Sequence, residues 1–567
     1  MKNYFLDNPD IQFHLKHQDL DRMIRWHEDD FAEFPAYPQA PENEGDAREG
    51  YALVLSLVGE LCARCLGPKA GEVDQQGTLL KDNEVIFPAP TQRAWELFAQ
   101  AELLGFSLPR KYGGLHFPAT ILCMAQEMIA RGDPSFLNFG LQQDIALAIN
   151  KFASEEQKED CLPRLARGEW DASMILTEPE AGSDLQAVSL RAVQDDRGQW
   201  RLNGVKRFIT NGCGKLALVL ARSEPEAPGG RGLSFFLYRR EEGMTIRRLE
   251  HKMGIRGTAT CELQFNQAPA ELLGERKRGL TKYTIWLLNC ARLGIAAQGI
   301  GIAEAAWREA RTYAEKRIQF GRPIGEFPAV YEMLARMQVE LEAGRSLLYT
   351  ASRCVDLSEA LESYLEKHPE QKPGLIDEKK KYGNYASFLT PLVKAYASEM
   401  ANRAASAAVQ VHGGSGYMKE FAVERLFRDA RVTNIYEGTT QMQVAAALRG
   451  LLSGTAELLL DELDGGDYPH APELPPKIRR ARQIFQEAFA LAKEKGDDRQ
   501  FLSFHARRLS EMAGELIMAY LLLGDAHSGP DKLKIASLFI AGLEPRIRFL
   551  AELVKEEGEA FLENRLF

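Results

Sequence analysis

The sequence predicts an α+β multidomain chain: an N-terminal α-helical domain, a middle β-barrel or sandwich domain, an α-helical bundle domain and an appended C-terminal helical domain. Three observations predict it. The chain has 567 residues, too many for one core. Its apolar spacing changes from a helical to a strand-like period near Ala172, and long helical runs resume at Leu280.

Composition excludes some classes of function. Hydrophobic content of 45% and charged content of 26% are those of an ordinary globular protein. A net charge of −10 argues against a non-specific nucleic-acid binder, so no nucleic-acid partner is expected. The basic cluster Lys477, Arg479, Arg480, Arg482, Arg507 and Arg508 is interspersed with acids. The N-terminus MKNYFLDNPDIQFHLKH lacks the apolar core of a secretory signal, and no apolar run approaches the ~20 residues that cross a bilayer. A cytoplasmic protein without an integral membrane segment is expected. Of eight scattered cysteines only Cys62 and Cys65 form a C-x-x-C, and no second pair completes a zinc site, so no metal is expected.

Residues 1–45 form an extension, Pro-rich at its end, that reads as wrapping the first domain. Residues 46–171 read as all-α, with helices over Ala52–Leu66, Gln92–Leu104, Phe117–Ala130 and Glu155–Leu165. Strands follow within 172–279, at Met174–Leu176, Trp200–Thr210, Leu216–Ala221, Leu233–Tyr238 and Cys261–Phe265, separated by Gly, Asp and Pro. The bundle, 280–450, carries helices Leu280–Lys316, Val330–Leu357 and Thr390–Gln410 and a Lys/Glu-rich insertion at 356–384. A linker over 451–476, with glycines at 465 and 466 and prolines at 469, 472, 475 and 476, predicts that 477–567 is a separate helical unit. There Leu509, Met512, Leu516, Ala519 and Leu523 fall on one helical face, and Ile547, Leu550 and Val554 on another.

Chemistry concentrates in the stretch Asn434-Ile435-Tyr436-Glu437-Gly438-Thr439-Thr440-Gln441. A carboxylate between Ile435, Tyr436 and Gly438 loses hydration, which favours its proton-accepting role near neutral pH, and the glycine lets a ligand approach the backbone. A helix cap with a solvated glutamate is the competing account. Upstream, Gln410-Val411-His412-Gly413-Gly414-Ser415-Gly416-Tyr417 is a second turn open to a ligand.

These two motifs and the helical, β, helical order over roughly residues 50–450 resemble the acyl-CoA dehydrogenase family. The insertion and the appended segment are similar to the long bacterial branch that includes methylthiopropionyl-CoA dehydrogenases. The resemblance implies FAD as cofactor and an acyl-CoA thioester as substrate. It makes Glu437 the catalytic base, with Gly438, Thr439 and Gln441 beside the flavin and Tyr436 and Gly438 beside the substrate. The family's Gln-x-x-Gly-Gly turn, which holds FAD, matches Gln410, Val411, Gly413 and Gly414.

By the same resemblance Met174, Leu176, Thr177, Gly182 and Ser183 line the isoalloxazine, Ser183 also reaching the thioester arm. Phe208-Ile209-Thr210 stands where the family usually has Trp-Ile-Thr; Phe208 covers a flavin face and Thr210 lies by N5. Arg317, Gln319 and Phe320 match the Arg-x-x-Phe-Gly element, whose arginine meets the FAD pyrophosphate across a subunit interface. Phe327-Pro328 replaces the family's usual Phe-Gln. Some members carry the base just before the arginine that matches Arg292; here that position is Ala291, which leaves Glu437, with Asn289 and Arg292 on the substrate side. The reaction implied is α,β-dehydrogenation to a trans-2-enoyl-CoA, with electrons passed to electron-transferring flavoprotein. An acyl-CoA oxidase and a DNA-associated flavoprotein of the same fold are the alternatives. The Gln142-Gln143-Asp144 run hints at an unusual acyl end. A homodimer is expected, since the appended segment would cover the surface through which short members pair their dimers.

Overall fold

The structure, a computed structural model, describes residues 3–140, 143–495 and 499–564. They form two compact units: the chain up to Leu15 with Phe31–Gly294, and Lys16–Asp30 with the chain from Ile295 onward.

In the first unit helices α1 (Pro9–His17), α3 (Glu44–Leu61), α4 (Ala70–Gln76), α5 (Ala89–Gln100), α6 (Ala119–Gly132), α7 (Pro134–Gly140), α8 (Gln143–Phe152) and α9 (Glu155–Ala166) precede the sheet; α2 (Asp21–His27) belongs to the second unit. Helix α3 starts where the Asn43 side chain accepts the Asp46 N–H at 3.0 Å. It ends in a π turn, Cys62–Leu66, that buries Cys62. The region is not purely α: strands β1 (Leu79–Lys81) and β2 (Glu84–Ile86) pair across Asp82 and Asn83, both left-handed.

Strands β3 (Ala172–Ile175), β4 (Arg191–Gln194), β5 (Trp200–Thr210), β6 (Leu216–Arg222), β7 (Leu233–Arg239), β8 (Met244–Leu249) and β9 (Thr260–Leu273) form, among the described residues, a seven-stranded sheet: six follow the order β3-β6-β4-β5-β9-β7, β8 pairs with β9 off this path, and β6–β7 pairing closes it. Closure leaves β6 and β7 buried on both faces. Leu216, Leu218 and Leu220 pack with Ile149 and Leu162 of the helical region, while Ala217, Val219 and Ala221 fill the barrel with Phe236 and Leu263. That is why these strands read as unbroken apolar runs.

Helix α10 (Ile285–Lys316) leads to a hairpin, β10 (Ile318–Gln319) and β11 (Arg322–Pro323), and then to two long antiparallel helices, α11 (Pro328–Lys367) and α12 (Lys372–His412). The stretch read as an insertion is therefore no loop. It extends both helices to a short turn at 368–371, and residues of the N-terminal extension cover it. Asp29 accepts from Lys367 at 2.9 Å and contacts His368 at 2.7 Å, Tyr364 donates to Asp30 at 2.8 Å, and Arg22 donates to Glu378 at 2.7 Å. Burial alone would raise the Asp29 carboxyl, but Lys367 and His368 hold it below the usual carboxylate range.

After α13 (Ala422–Ala430) come α14 (Thr440–Leu452), α15 (Thr455–Asp464), α16 (Pro475–Glu494), α17 (Arg499–Asp525), α18 (Pro530–Ala541) and α19 (Leu543–Glu563). Helix α15 occupies 455–464 of the expected linker and 465–474 lies outside any helix; the appended segment falls in one compact unit with the bundle. All five residues of the Leu509 stripe are buried, as are Ile547 and Val554, with Leu550 half-buried. Lys532 pairs with Glu342 at 2.9 Å, Ser346 donates to Asp525 at 2.5 Å, and Ser510 donates to the Val444 carbonyl at 3.4 Å.

Two helical stretches, Glu44–Gln76 and Gly279–Lys316, pass a test of length and composition for crossing a bilayer, with 39% and 61% of their apolar windows buried inside the protein. Because the appended helices share the bundle's core, a chain ended after Asp464 should unfold at a midpoint on the order of 5 °C lower by calorimetry. An unchanged midpoint would mark 477–567 as an independent domain.

Candidate active site

In the first unit the site loops grow out of β3 and β5. The Thr177–Ser183 turn closes on itself through paired backbone hydrogen bonds between Glu178 and Ala181, at 3.2 and 3.1 Å, leaving Gly182 and Ser183 exposed and Thr177 half-buried. Glu178 fixes it from within. Its buried carboxylate accepts from Ser189 N at 2.8 Å, Ser189 Oγ at 2.7 Å, Leu190 N at 2.9 Å and Lys206 Nζ at 3.0 Å. Lys206, with no exposed surface, also donates to the Leu176 carbonyl at 2.7 Å. Burial pushes its ammonium down to about 8 against the pull of Glu178. Burial would raise the Glu178 carboxyl, yet Lys206, Ser189 and Leu190 hold it below the usual range.

The same lysine stands at a bulge. Lys206 pairs with Leu263 and Ile209 with Cys261, so Arg207 and Phe208 together face Glu262. The extra residue turns Phe208 outward at φ +60, leaving its ring 52% exposed beneath the Arg207 guanidinium, 4.6 Å from the centroid. Arg207 N donates to the Thr177 carbonyl at 3.0 Å and Ser173 Oγ to the Thr210 carbonyl at 2.9 Å, so the Met174–Ser183 and Phe208–Thr210 segments lie side by side. Two assigned residues offer only backbone there, because the Leu176 and Ile209 side chains are in the core. Elsewhere in this unit Arg292 donates to Asn289 at 2.7 Å. Gln142 lies outside the described residues.

The second unit carries the other motifs. Arg317 follows α10 and is exposed, as are Gln319 and Phe320; the hairpin tip puts Phe320 at φ +51 with 94% of its surface exposed. At the end of α12, His412 stacks on Tyr313 with centroids 4.2 Å apart and Tyr313 donates to Ser415 at 3.3 Å, anchoring the glycine turn. Gly413, at φ +60, and Gly414 are open: a Cβ on either would meet nothing within 4 Å. Gln410 is exposed, but Val411 is buried and offers only backbone.

Glu437 sits at φ +53 and Gly438 at φ +92, just before α14. The helix cap is Thr439, whose hydroxyl accepts the Met442 N–H, so Glu437 is not spent on capping. A left-handed glutamate costs about 1–3 kcal/mol, and the surroundings hold it there. Gln443 Nε2, fully buried, donates to the carbonyls of Glu437 at 3.0 Å and Gly438 at 3.1 Å, and Lys394 Nζ, also fully buried, donates to Gly438 O at 2.6 Å. A Cβ at Gly438 would lie 2.5 Å from Gln443 Nε2 and displace that amide, and φ +92 is a backbone conformation that favours glycine. Glu399 accepts from Thr440 at 2.6 Å and from Asn434 at 3.3 Å, closing both ends of the loop onto α12, and Tyr436 donates to buried Gln298. Thr439 and Glu437 are half-buried and Gln441 is exposed. Sequence reasoning missed Lys206, Lys394, Gln443 and Glu399; a lysine inside an apolar helical run, as in Pro391-Leu392-Val393-Lys394-Ala395, was the available signal.

No cluster of metal-ligating side chains occurs among the described residues. In the first unit an outward aromatic ring at a strand bulge suits a flat ring, and in the second an open pair of glycines at a helix end and an exposed arginine suit an anionic group.

Replacing Lys206 by Met should break the buried pair and cost about 3–5 kcal/mol. The folded-state pKa of Glu178 lies below its unfolded value, so the pair's contribution is present above the ordinary carboxyl value of 4.5 and lost as pH falls through the folded one. Lys206 stays charged over that range. Urea unfolding should show the deficit of Lys206→Met at about pH 7 and a smaller one at about pH 4; a pH-independent deficit would contradict the pairing.

Family models match most of the chain. Those described as acyl-CoA dehydrogenase N-terminal, middle and C-terminal domains match residues 50–169, 173–268 and 293–441, and one described as acyl-CoA dehydrogenase C terminal matches 462–555. The 3-methylmercaptopropionyl-CoA dehydrogenase of Ruegeria pomeroyi is 35% identical over 416 residues, covering 69% of this chain and 68% of that protein. The butyryl-CoA dehydrogenase structure from Megasphaera elsdenii superposes with a TM-score of 0.61 at 30% identity, over 71% of this chain and 98% of that one. An acyl-CoA dehydrogenase from Bacillus anthracis complexed with FAD shares the fold over 89% of this chain and 88% of its own, with a TM-score of 0.75 at 24% identity. The chain belongs to the acyl-CoA dehydrogenase family and is a flavin-dependent oxidoreductase with FAD as its cofactor.

Proposed function

We propose that the protein converts an acyl-CoA thioester to its trans-2-enoyl-CoA, with Glu437 as the base that removes the α-proton. The observation that carries this reading is the Glu437–Gly438 turn: a left-handed, half-buried carboxylate next to a glycine, with the cap of α14 supplied by another residue. A proton acceptor must reach the α-carbon, and a carboxylate on a turn whose helix cap is supplied by Thr439 supports that role.

The Glu437 N–H polarises the thioester carbonyl, which acidifies the α-proton, and the carboxylate takes that proton as the C–H electron pair becomes the new C=C bond. Bound FAD supplies the acceptor for the hydride that leaves the β-carbon. Thr177, Ser183, Thr210 and the exposed Phe208 ring hold the flavin ring, and Asn289, Arg292 and Tyr436 face the substrate. Arg317 with the Gln410–Gly414 turn binds the pyrophosphate side of the FAD held by a second subunit. Exposure of Arg317, Phe320 and Gln410 supports that reading, since a homodimer would cover them. Electrons pass on to electron-transferring flavoprotein, and the protein works in the cytoplasm, as family membership suggests.

Glu437→Gln should stay yellow and folded while the rate of anaerobic flavin bleaching by a panel of acyl-CoAs drops by roughly 10²–10⁴. Substantial bleaching by the variant would place the base elsewhere. Light scattering should give about twice the chain mass of 63.5 kDa. A fourfold mass would refute the dimer, and a single-chain mass the shared flavin site.

A further inference from the structure

We infer that Lys394 is the positioning residue for Glu437: its ammonium, buried in the bundle, holds the carbonyl of Gly438 and so keeps the catalytic turn in its left-handed form. The inference rests on the reading of Glu437 as the base.

Hydrogen-bond satisfaction does not account for the lysine. The Gly438 carbonyl already receives Gln443 Nε2 at 3.1 Å, and that same amide also serves the Glu437 carbonyl. Packing does not account for it either. A buried ammonium is expensive to desolvate, and an unbranched apolar side chain of similar length would fill the same space. What the ammonium adds is a charge-assisted hydrogen bond of 2.6 Å in a dry environment, about twice as strong as the neutral amide contacts on the same turn.

The placement is specific. The held oxygen belongs to the residue directly after Glu437, so the contact fixes the Gly438–Thr439 peptide plane while Gln443 holds the Glu437 carbonyl, and together they hold the turn that presents Glu437. Gly438, at φ +92, has the widest conformational choice in the loop and is the residue most in need of a restraint. Glu399 restrains the two ends of the loop through Asn434 and Thr440, while Lys394 and Gln443 restrain its middle. Loss of the middle restraint leaves the ends in place and lets the carboxylate wander from the α-carbon, and a displacement near 1 Å lowers rates by about 10²-fold.

Stopped-flow flavin reduction of the FAD-loaded enzyme with a saturating acyl-CoA tests this. For Lys394→Met we expect full flavin content, a single cooperative unfolding transition, a limiting reduction rate lower by about 10²-fold, and little change in the substrate concentration that half-saturates the rate. Lys394→Arg, which keeps a charged donor, should recover part of the rate. Gln443→Leu should show the same split with a smaller loss. A limiting rate for Lys394→Met within about twofold of the unaltered protein overturns the inference, as does a loss of rate matched by an equal loss of stability. Should Lys394→Met fail to fold, Gln443→Leu decides: an undiminished limiting rate there shows that the carbonyl restraint does not position the base. Glu437→Gln is run alongside. Bleaching by that variant defeats the reading of the base itself, whereas a dead Glu437→Gln with a fully active Lys394→Met defeats only the role of Lys394.

Discussion

A buried ammonium set on a main-chain carbonyl is the interaction on which the candidate site segments of each unit depend. Lys206 holds the carbonyl of Leu176 at 2.7 Å and Lys394 that of Gly438 at 2.6 Å. Each sits by a non-glycine residue in the left-handed region, Phe208 at φ +60 and Glu437 at φ +53. Such conformations persist only where the surroundings over-determine them. In the β unit the strain comes from an extra residue in β5, in the helical unit from a chain that must reverse before α14 begins. Lys206 also faces the carboxylate of Glu178 at 3.0 Å, which offsets part of the cost of its burial.

The helical unit shows how a catalytic turn is built on long elements. Helix α12 supplies Lys394 and Glu399 to the Glu437 loop and ends in the glycine turn stacked through His412 on Tyr313 of α10. One helix thus serves both the base and the cofactor turn. On the far side of the loop, α14 lies against α17 of the appended segment, where Ser510 meets Val444, and Arg507 stands 3.6 Å from the Glu399 carboxylate. An exposed pair of that kind contributes little by itself, so what the appended helices add is the buried Leu509 stripe.

Much of this was legible in the sequence, for physical reasons that can be named. Strand β5 was read to its observed bounds, Trp200–Thr210, because alternating side chains between turn residues admit few other structures. The Glu437 and Gln410 stretches stood out because glycines crowd around polar residues in them. The bulge at Arg207 and Phe208 was not legible, since an extra residue in a strand shows only against its partner, β9. Strands β4 and β8 were missed because Arg191, Val193 and Gln194, and likewise Thr245, Arg247 and Arg248, point to solvent, leaving too few apolar residues to set a period. The lysines escaped because the carbonyls they hold lie 30 and 44 residues away. Val411, Leu176 and Ile209 were assigned from their motifs, which do not say which way a side chain points. The prolines read as a linker partly serve to begin a helix: Pro475 and Pro476 occupy the first turn of α16, where a missing N–H costs nothing.

The contact between Asp29 and the Lys367–His368 corner changes how the chain's added lengths should be counted. The stretch around residues 16–30 and the tips of α11 and α12 are more than three hundred residues apart in sequence, yet each supplies the other's counter-charges, through Asp29, Asp30 and Arg22 on one side and Lys367, Tyr364 and Glu378 on the other. They are one structural element written in two places. A homologue that carries either piece without the other must cover the exposed helix tips, or the stray N-terminal helix, in some different way. Lengths gained at the two positions are therefore expected to rise and fall together across the long branch of the family, as a lid does with its rim.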